Sequence, residues 1–191
     1  MTKAKKKHIL KQLRINYLRK MHLNTVYITV GTTKFDALIS TVSSEPALKA
    51  LQSRKCTQLV IQHGNSQPLT EEEIQLIRKN YGIQTEQYKF RPNAEDIKSA
   101  DLIIGHAGAG TCMDILNNQK PGLIVINDTL MDNHQLELAK QLAAENYLYY
   151  CKITDLDAQL ATLDFEALKA YETKPENLSK FVSAINQLMS H

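Results

Sequence analysis

A chain of 191 residues with 43% hydrophobic content can bury one good core, and none of its apolar runs approaches the roughly 18–20 residues needed to cross a bilayer. The net charge of +3 is misleading: residues 1–24 hold eight Lys or Arg and no acid, so the other 167 residues carry 15 basic and 20 acidic groups, a balance of −5. An acidic body with a basic arm gives no support for nucleic-acid binding by the core, and three scattered cysteines (Cys56, Cys112, Cys151) outside any metal-ligand spacing suit free thiols in a reducing, cytosolic compartment.

In chain order, the basic arm 1–24 comes first. Leu10, Leu13, Tyr17, Leu18 and Met21 fall on one helical face, which suits a basic amphipathic helix on an anionic membrane or a partner; the weak periodicity equally suits a solvated, disordered extension. From there strands and helices alternate. Thr25–Val30 reads as a strand, then Gly31-Thr32-Thr33-Lys34 as a turn, then helices over Asp36–Val42 and near Pro46–Ser53. Gln58–Gln62 is a strand and Thr70–Tyr81 a helix opened by a Thr70/Glu73 capping box. Gln84–Phe90 reads as a strand and Ala94–Ser99 as a short helix. Next comes the densest signal, Asp101-Leu-Ile-Ile-Gly-His-Ala-Gly-Ala-Gly-Thr111, an unbroken apolar run that ends in a glycine-rich turn with a helix over Thr111–Asn118 behind it. Pro121 introduces the strand Leu123–Ile126, Asn133–Glu145 is a helix, Tyr147–Lys152 a last strand, and the tail from about 155 is mostly helical, with Pro175 starting a final helix.

Strands alternating with helices predict α/β architecture, a Rossmann-like parallel sheet flanked by helices and built as one domain over 25–191. In such sheets ligands lie beyond the carboxyl ends of the strands. Those ends carry Gly31-Thr32-Thr33, Gln62-His63-Gly64, His106 to Gly110 and Asn127 to Gln135, which should converge on one crevice. A helix N-terminus behind Gly105, Gly108 and Gly110 suits a phosphate, because its free N–H groups point at the turn.

Each constellation also has a plainer reading. Gly31-Thr-Thr is either a second phosphate- or sugar-facing loop or an ordinary helix-capping turn. Neither GxxxxGK[ST] nor GxGxxG is present, which argues against an NTPase or a dinucleotide enzyme. His106 is either structural or, at a strand end beside the loop, a ligand contact. Asp114 either caps the helix or accepts from two ribose hydroxyls. Asn133, His134 and Gln135 suit sugar hydroxyls, with Asp132 or Asn133 as a mere cap the alternative. Asp155-Leu-Asp157 matches a metal-binding DxD pattern but sits at a helix start, where capping explains it. Cys112 follows the loop closely enough for its thiol pKa to be lowered.

Taken together, Thr29-Val-Gly-Thr-Thr-Lys-Phe-Asp36, Ala100 to Thr111 and Asn127-Asp-Thr-Leu-Met-Asp-Asn-His-Gln-Leu-Glu-Leu-Ala139 resemble one eukaryotic family, in order, over about residues 25–152. It is the donor-binding catalytic subunit of the two-subunit UDP-N-acetylglucosamine transferase of dolichol-linked oligosaccharide synthesis. The resemblance implies the C-terminal, donor half of a GT-B glycosyltransferase, similar to the corresponding domain of the bacterial lipid II GlcNAc transferase. It implies UDP-GlcNAc contacts from Gly31, Thr32, Thr33, His106, Gly108, Gly110, Thr111, Asp114, Asn133, His134 and Gln135, with Asp114 holding the ribose and His134 and Gln135 the sugar. It further implies transfer of GlcNAc to GlcNAc-diphosphodolichol with inversion, no metal and no cofactor. A membrane-anchored partner subunit would supply the acceptor site and the general base, so no catalytic residue is assigned in this chain, which would be inactive alone and recruited to the cytosolic face of the endoplasmic reticulum. Two other readings stand beside this one: a nucleotide-sugar-binding or scaffold protein without catalysis, and a complete soluble GT-B enzyme, for which 191 residues are too few.

Overall fold

The computed structural model describes residues 22–126 and 133–172. Six strands form one sheet: β1 (Thr25–Thr29), β2 (Gln58–Gln62), β3 (Gln84–Tyr88), β4 (Leu102–His106), β5 (Gly122–Ile126) and β6 (Tyr149–Lys152). Seven helices connect and cover them: α1 (Asp36–Val42), α2 (Glu45–Ser53), α3 (Glu71–Tyr81), α4 (Ala94–Ser99), α5 (Ala109–Asn117), α6 (Asn133–Ala144) and α7 (Leu156–Thr162). The strand order is β3-β2-β1-β4-β5-β6 and every neighbouring pair is parallel. The expected Rossmann-like sheet is therefore present. The order reverses between β1 and β4, with Thr29 in register with Gly105, so loops leaving these two strands diverge to opposite faces and leave a crevice between them.

The apolar runs behave as strands buried on both faces must. Val26 and Ile28 of β1 point to one core, shared with Leu38, Leu48, Leu51, Ile77 and Leu156; Tyr27, between them, points to the other, with Ile97, Cys112, Ile115, Leu138 and Leu142. The first core lies under α1, α2, α3 and α7, the second under α4, α5 and α6. Local signals set the element ends. The capping box forms as expected, Glu73 N–H donating to Thr70 Oγ1 (3.2 Å) and Thr70 N–H to Glu73 Oε2 (2.7 Å). Far from the crevice, Asp101 accepts from the Thr25 N–H (2.9 Å) and pins the start of β1 to the start of β4.

Several boundaries differ from expectation. β1 ends at Thr29, although the Val30 N–H still bonds the Gln62 carbonyl (3.2 Å). β3 stops at Tyr88, because Phe90 turns outward and is 50% exposed. β6 begins at Tyr149, since Tyr147 packs edge-on against Tyr171 instead of entering the sheet. The tail is less regular than expected, α7 being flanked by 3₁₀ turns at Ile153–Asp155 and Phe165–Ala167. A buried Arg54 holds this tail to the core: its guanidinium donates to the carbonyls of Leu160 and Leu163 (2.6 Å for the latter) and lies 5.2 Å from the Phe165 ring centre. The arm up to residue 21 and the final helix expected from Pro175 lie outside the described residues. Among the described residues no helix is long and apolar enough to cross a membrane.

Candidate functional site

At the carboxyl end of β4 the chain makes one tight turn, the Gly108 N–H returning to the His106 carbonyl (2.8 Å), and enters α5. The helix starts at Ala109, two residues before the expected Thr111, with Gly108 as its N-cap. Gly110 is thus inside the first turn. Glycine has no side chain to offer, and α5 has no side-chain cap hydrogen bond; the Gly108 carbonyl takes the Cys112 N–H (3.1 Å). The N–H groups of Ala109, Gly110 and Thr111 are left facing the crevice without intrahelical partners, the arrangement that suits an anion. Asp114 falls in the second turn, too far along to cap the helix. It is half-buried, and burial raises its carboxyl pKa while a hydrogen bond from Asn93 works the other way.

Two glycines turn out to make room for the imidazole of His106. A Cβ on Gly108 would come 2.4 Å from His106 Nε2, and one on Gly31 would come 2.9 Å from Cε1. The ring therefore bridges the β1 and β4 loops at the point where the strand order reverses. Its Nδ1 is buried without a hydrogen-bond partner among the described residues. Burial lowers the imidazole pKa, with the Thr29 backbone opposing, so the neutral form is favoured. Gly105, one residue before His106, accommodates Thr111: a Cβ there would meet Thr111 Cγ2 at 2.4 Å. Gly110 differs from all of these, because among the described residues nothing lies within 4 Å of the position a Cβ would take.

The Gly31-Thr32-Thr33 loop is tied mostly to itself and to the loop after β2. Gly31 N–H donates to Thr29 Oγ1 (3.1 Å), and both the N–H (3.2 Å) and the hydroxyl (2.8 Å) of Thr33 donate to the Val30 carbonyl. Asn65 donates through its side chain to the Thr32 carbonyl (2.8 Å) and through its backbone to that of Thr33 (3.2 Å). Thr32 is exposed, and neither its N–H nor its hydroxyl has a partner among the described residues.

The structure thus brings Gly31, His106 and Gly108 together and packs Thr111 against Gly105, with Thr33 turned inward onto Val30, Thr32 and Gly110 exposed, and Asp114 facing Asn93. The backbone of Asn133, His134 and Gln135 forms the first turn of α6; their side chains and residues 127–132 lie outside the described portion. Two expectations change. Burial pushes the Cys112 thiol up to about 12, so it is not activated by the loop. Asp155 occupies the N-cap position of α7 but makes no cap hydrogen bond, accepting instead from the Thr154 hydroxyl (3.2 Å); no group of three or more metal-ligand side chains occurs among the described residues. Sequence reasoning passed over Asn93, whose side chain reaches both Asp114 and the Tyr27 hydroxyl (3.4 Å). It placed Thr29 and Gln62 at strand ends but gave neither a role; their signal was a polar residue closing each of two strands with apolar centres.

Comparisons with known proteins bear on the family and the fold. The model of the glycosyltransferase family 28 C-terminal domain matches residues 25–188. The chain is 42% identical over 134 residues to the UDP-N-acetylglucosamine transferase subunit ALG13 of Homo sapiens, which covers 68% of this chain but 11% of the human protein. It is 30% identical to the subunit of the same name from Candida albicans, over 91% of this chain and 68% of that protein. Among solved structures, an NMR solution structure of ALG13 is similar with a TM-score of 0.63 at 23% identity, covering 84% of this chain and 95% of that one. The crystal structure of Acinetobacter baumannii MurG is similar with a TM-score of 0.54 at 19% identity over 76% of this chain and 42% of that one.

Proposed function

Because the chain belongs to the glycosyltransferase family 28 C-terminal domain family, we propose that it is the donor-binding half of a split UDP-N-acetylglucosamine transferase. Its fold is that of the C-terminal half of a GT-B glycosyltransferase. Residues 25–191 form the nucleotide-sugar-binding domain and residues 1–24 a basic arm. The observation that carries the reading is the uncapped start of α5, placed where the strand order reverses. There the N–H groups of Ala109, Gly110 and Thr111 take the UDP diphosphate, and Gly108 lets it approach. Thr32 and the imidazole of His106 line the β1 side, with Gly31 and Thr33 shaping the loop. Asp114 accepts from the ribose hydroxyls, and Asn133, His134 and Gln135 hold the GlcNAc hydroxyls and acetamide.

The reaction moves GlcNAc to GlcNAc-diphosphodolichol. The acceptor oxygen attacks the anomeric carbon from the face opposite UDP as the bond to the diphosphate breaks, which inverts the configuration. Negative charge grows on the leaving diphosphate in that step, and fixed N–H dipoles at α5 stabilise it without having to reorient. A membrane-anchored partner supplies the acceptor site and the base, which places the complex at the cytosolic face of the endoplasmic reticulum. The relatives' designation as transferase subunits supports a partner. Asp114→Ala, Gln135→Ala and Gly110→Val, assayed with the partner for transfer of labelled GlcNAc to a dolichol-diphosphate acceptor, should each impair transfer while the fold persists. Near-normal transfer by all three would sink the site. Donor binding without any transfer in the presence of an intact partner would instead favour a non-catalytic nucleotide-sugar-binding role.

A further inference from the structure

Thr29, Gly31 and Gln62 form a closed ring of hydrogen bonds behind the crevice. Gly31 N–H donates to Thr29 Oγ1 (3.1 Å), the Thr29 hydroxyl donates to Gln62 Oε1, and Gln62 Nε2 donates to the Gly31 carbonyl (3.3 Å). Both side chains are buried. The ring fixes the Gln62 amide: flipped, it would set two carbonyl oxygens against each other and leave the Thr29 hydroxyl proton without an acceptor. It also holds Gly31 in the left-handed region (φ +60°) by gripping the peptide groups on both sides of its Cα. The Gly31 carbonyl has room only because position 64 is a glycine, where a Cβ would come 2.5 Å from that oxygen.

Peptide planarity gives the ring its consequence. In a trans peptide the C=O of one residue and the N–H of the next point in opposite directions. Gln62 belongs to β2 and draws the Gly31 carbonyl toward it. β4 flanks β1 on the other side, so the Thr32 N–H is turned toward β4 and the crevice. That N–H has no partner among the described residues. We propose that Gln62 is a positioning residue which, with Thr29, holds the Gly31–Thr32 peptide so that the Thr32 N–H is presented to an anionic oxygen of the nucleotide-sugar donor. The proposal rests on the donor-site reading above.

The test titrates the full chain with UDP-GlcNAc, following backbone amides by NMR, across four variants. Gln62→Leu breaks two ring bonds and should weaken donor binding about tenfold, the scale of one charge-assisted hydrogen bond. Thr29→Val should do the same, whereas Thr29→Ser, which keeps the hydroxyl, should bind like the parent. Gln62→Glu keeps the acceptor for Thr29 but faces the Gly31 carbonyl with a donor only when protonated, so its affinity should recover as pH falls. The titratable neighbours are His63 at the end of β2 and His106 on β4, with Lys34 and Asp36 further along the loop. All are unchanged in the parent and in Gln62→Leu, which serve as controls for their titration. In the donor-free chain the Gly31 and Thr32 amide shifts of Gln62→Glu should follow the same carboxyl titration. Parent-like affinity in both Gln62→Leu and Thr29→Val, or no extra pH step in Gln62→Glu, overturns the proposal. If the amide shifts titrate as expected but the parent binds no UDP-GlcNAc, the donor-site reading fails while the hold on the loop stands. Should Gln62→Leu prove unfolded, parent-like affinity in Thr29→Val, set against Thr29→Ser, or no extra pH step in Gln62→Glu still overturns it.

Discussion

Gly110 separates what the fold needs from what a ligand needs. Among the described residues a Cβ at this position would enter open space, and the residue is helical and exposed. Alanine in a helix is favoured over glycine by roughly 0.5–1 kcal/mol, chiefly because the unfolded chain loses freedom. In the first turn the lower end applies, so Gly110→Ala should stabilise the protein by about 0.5 kcal/mol. For a chain of this size, 1 kcal/mol shifts Tm by roughly 2–4 °C, which gives a rise of about 1–2 °C. The same methyl group would stand over the N–H groups assigned to the diphosphate. Displacing the donor by about 1 Å costs on the order of a hundredfold in transfer. Stability and activity should therefore move in opposite directions. Gly108→Ala is the contrast, because its Cβ would meet His106 Nε2 at 2.4 Å and both properties should fall. Thermal melting with and without UDP-GlcNAc, alongside transfer assays with the partner, reads both effects. If Gly110→Ala melts higher yet transfers normally, the donor does not lie on α5. A melting temperature several degrees lower would refute the open space itself.

Further outcomes follow from other parts of the structure. Burial lowers the His106 pKa below its ordinary 6.5, so the unfolded chain binds a proton that the folded state resists. Stability should be fully present above pH 6.5 and decline as pH falls from there toward the lowered value. Urea midpoints between pH 7.5 and 5.5 should show that slope, and His106→Gln should flatten it; an unchanged slope would clear His106. Arg54→Ala leaves the Leu160 and Leu163 carbonyls without their donor and opens space beside Phe165, which should cost about 2–4 kcal/mol in urea unfolding. A loss under 1 kcal/mol would mean that the tail is held by other contacts. Cys112, buried with its thiol near 12, should resist iodoacetamide at pH 8 in the native chain and react promptly in denaturant.

Most elements were legible because their signals are local. Runs such as Leu102-Ile-Ile and Leu123-Ile-Val-Ile have no polar alternation, and Thr70 with Glu73 marks a helix start within four residues. The Gly-rich turn after β4 and the ordered polar segments sufficed to suggest the family. The first turn of α5 was misplaced by two residues because Ala-Gly-Thr has weak helix preference, and the open crevice rather than propensity lets it wind there. For the three cysteines, spacing correctly implied free thiols, but only burial decided that Cys112 is unreactive.

What lay beyond the chain's own patterns was adjacency. Hydrophobic period tells each segment which face to bury, but not which strand becomes its neighbour. Only the packed sheet sets β1 between β2 and β4, and so brings the imidazole of His106 against Gly31 and Gly108. It also turns Gln62 from an ordinary strand-end residue into the holder of the Gly31 peptide. The composition of the candidate site was proposed from the local sequence. Its geometry rests on contacts between residues more than 30 positions apart, such as Thr29 with Gln62, which form only once both cores are buried and the strand ends are brought together.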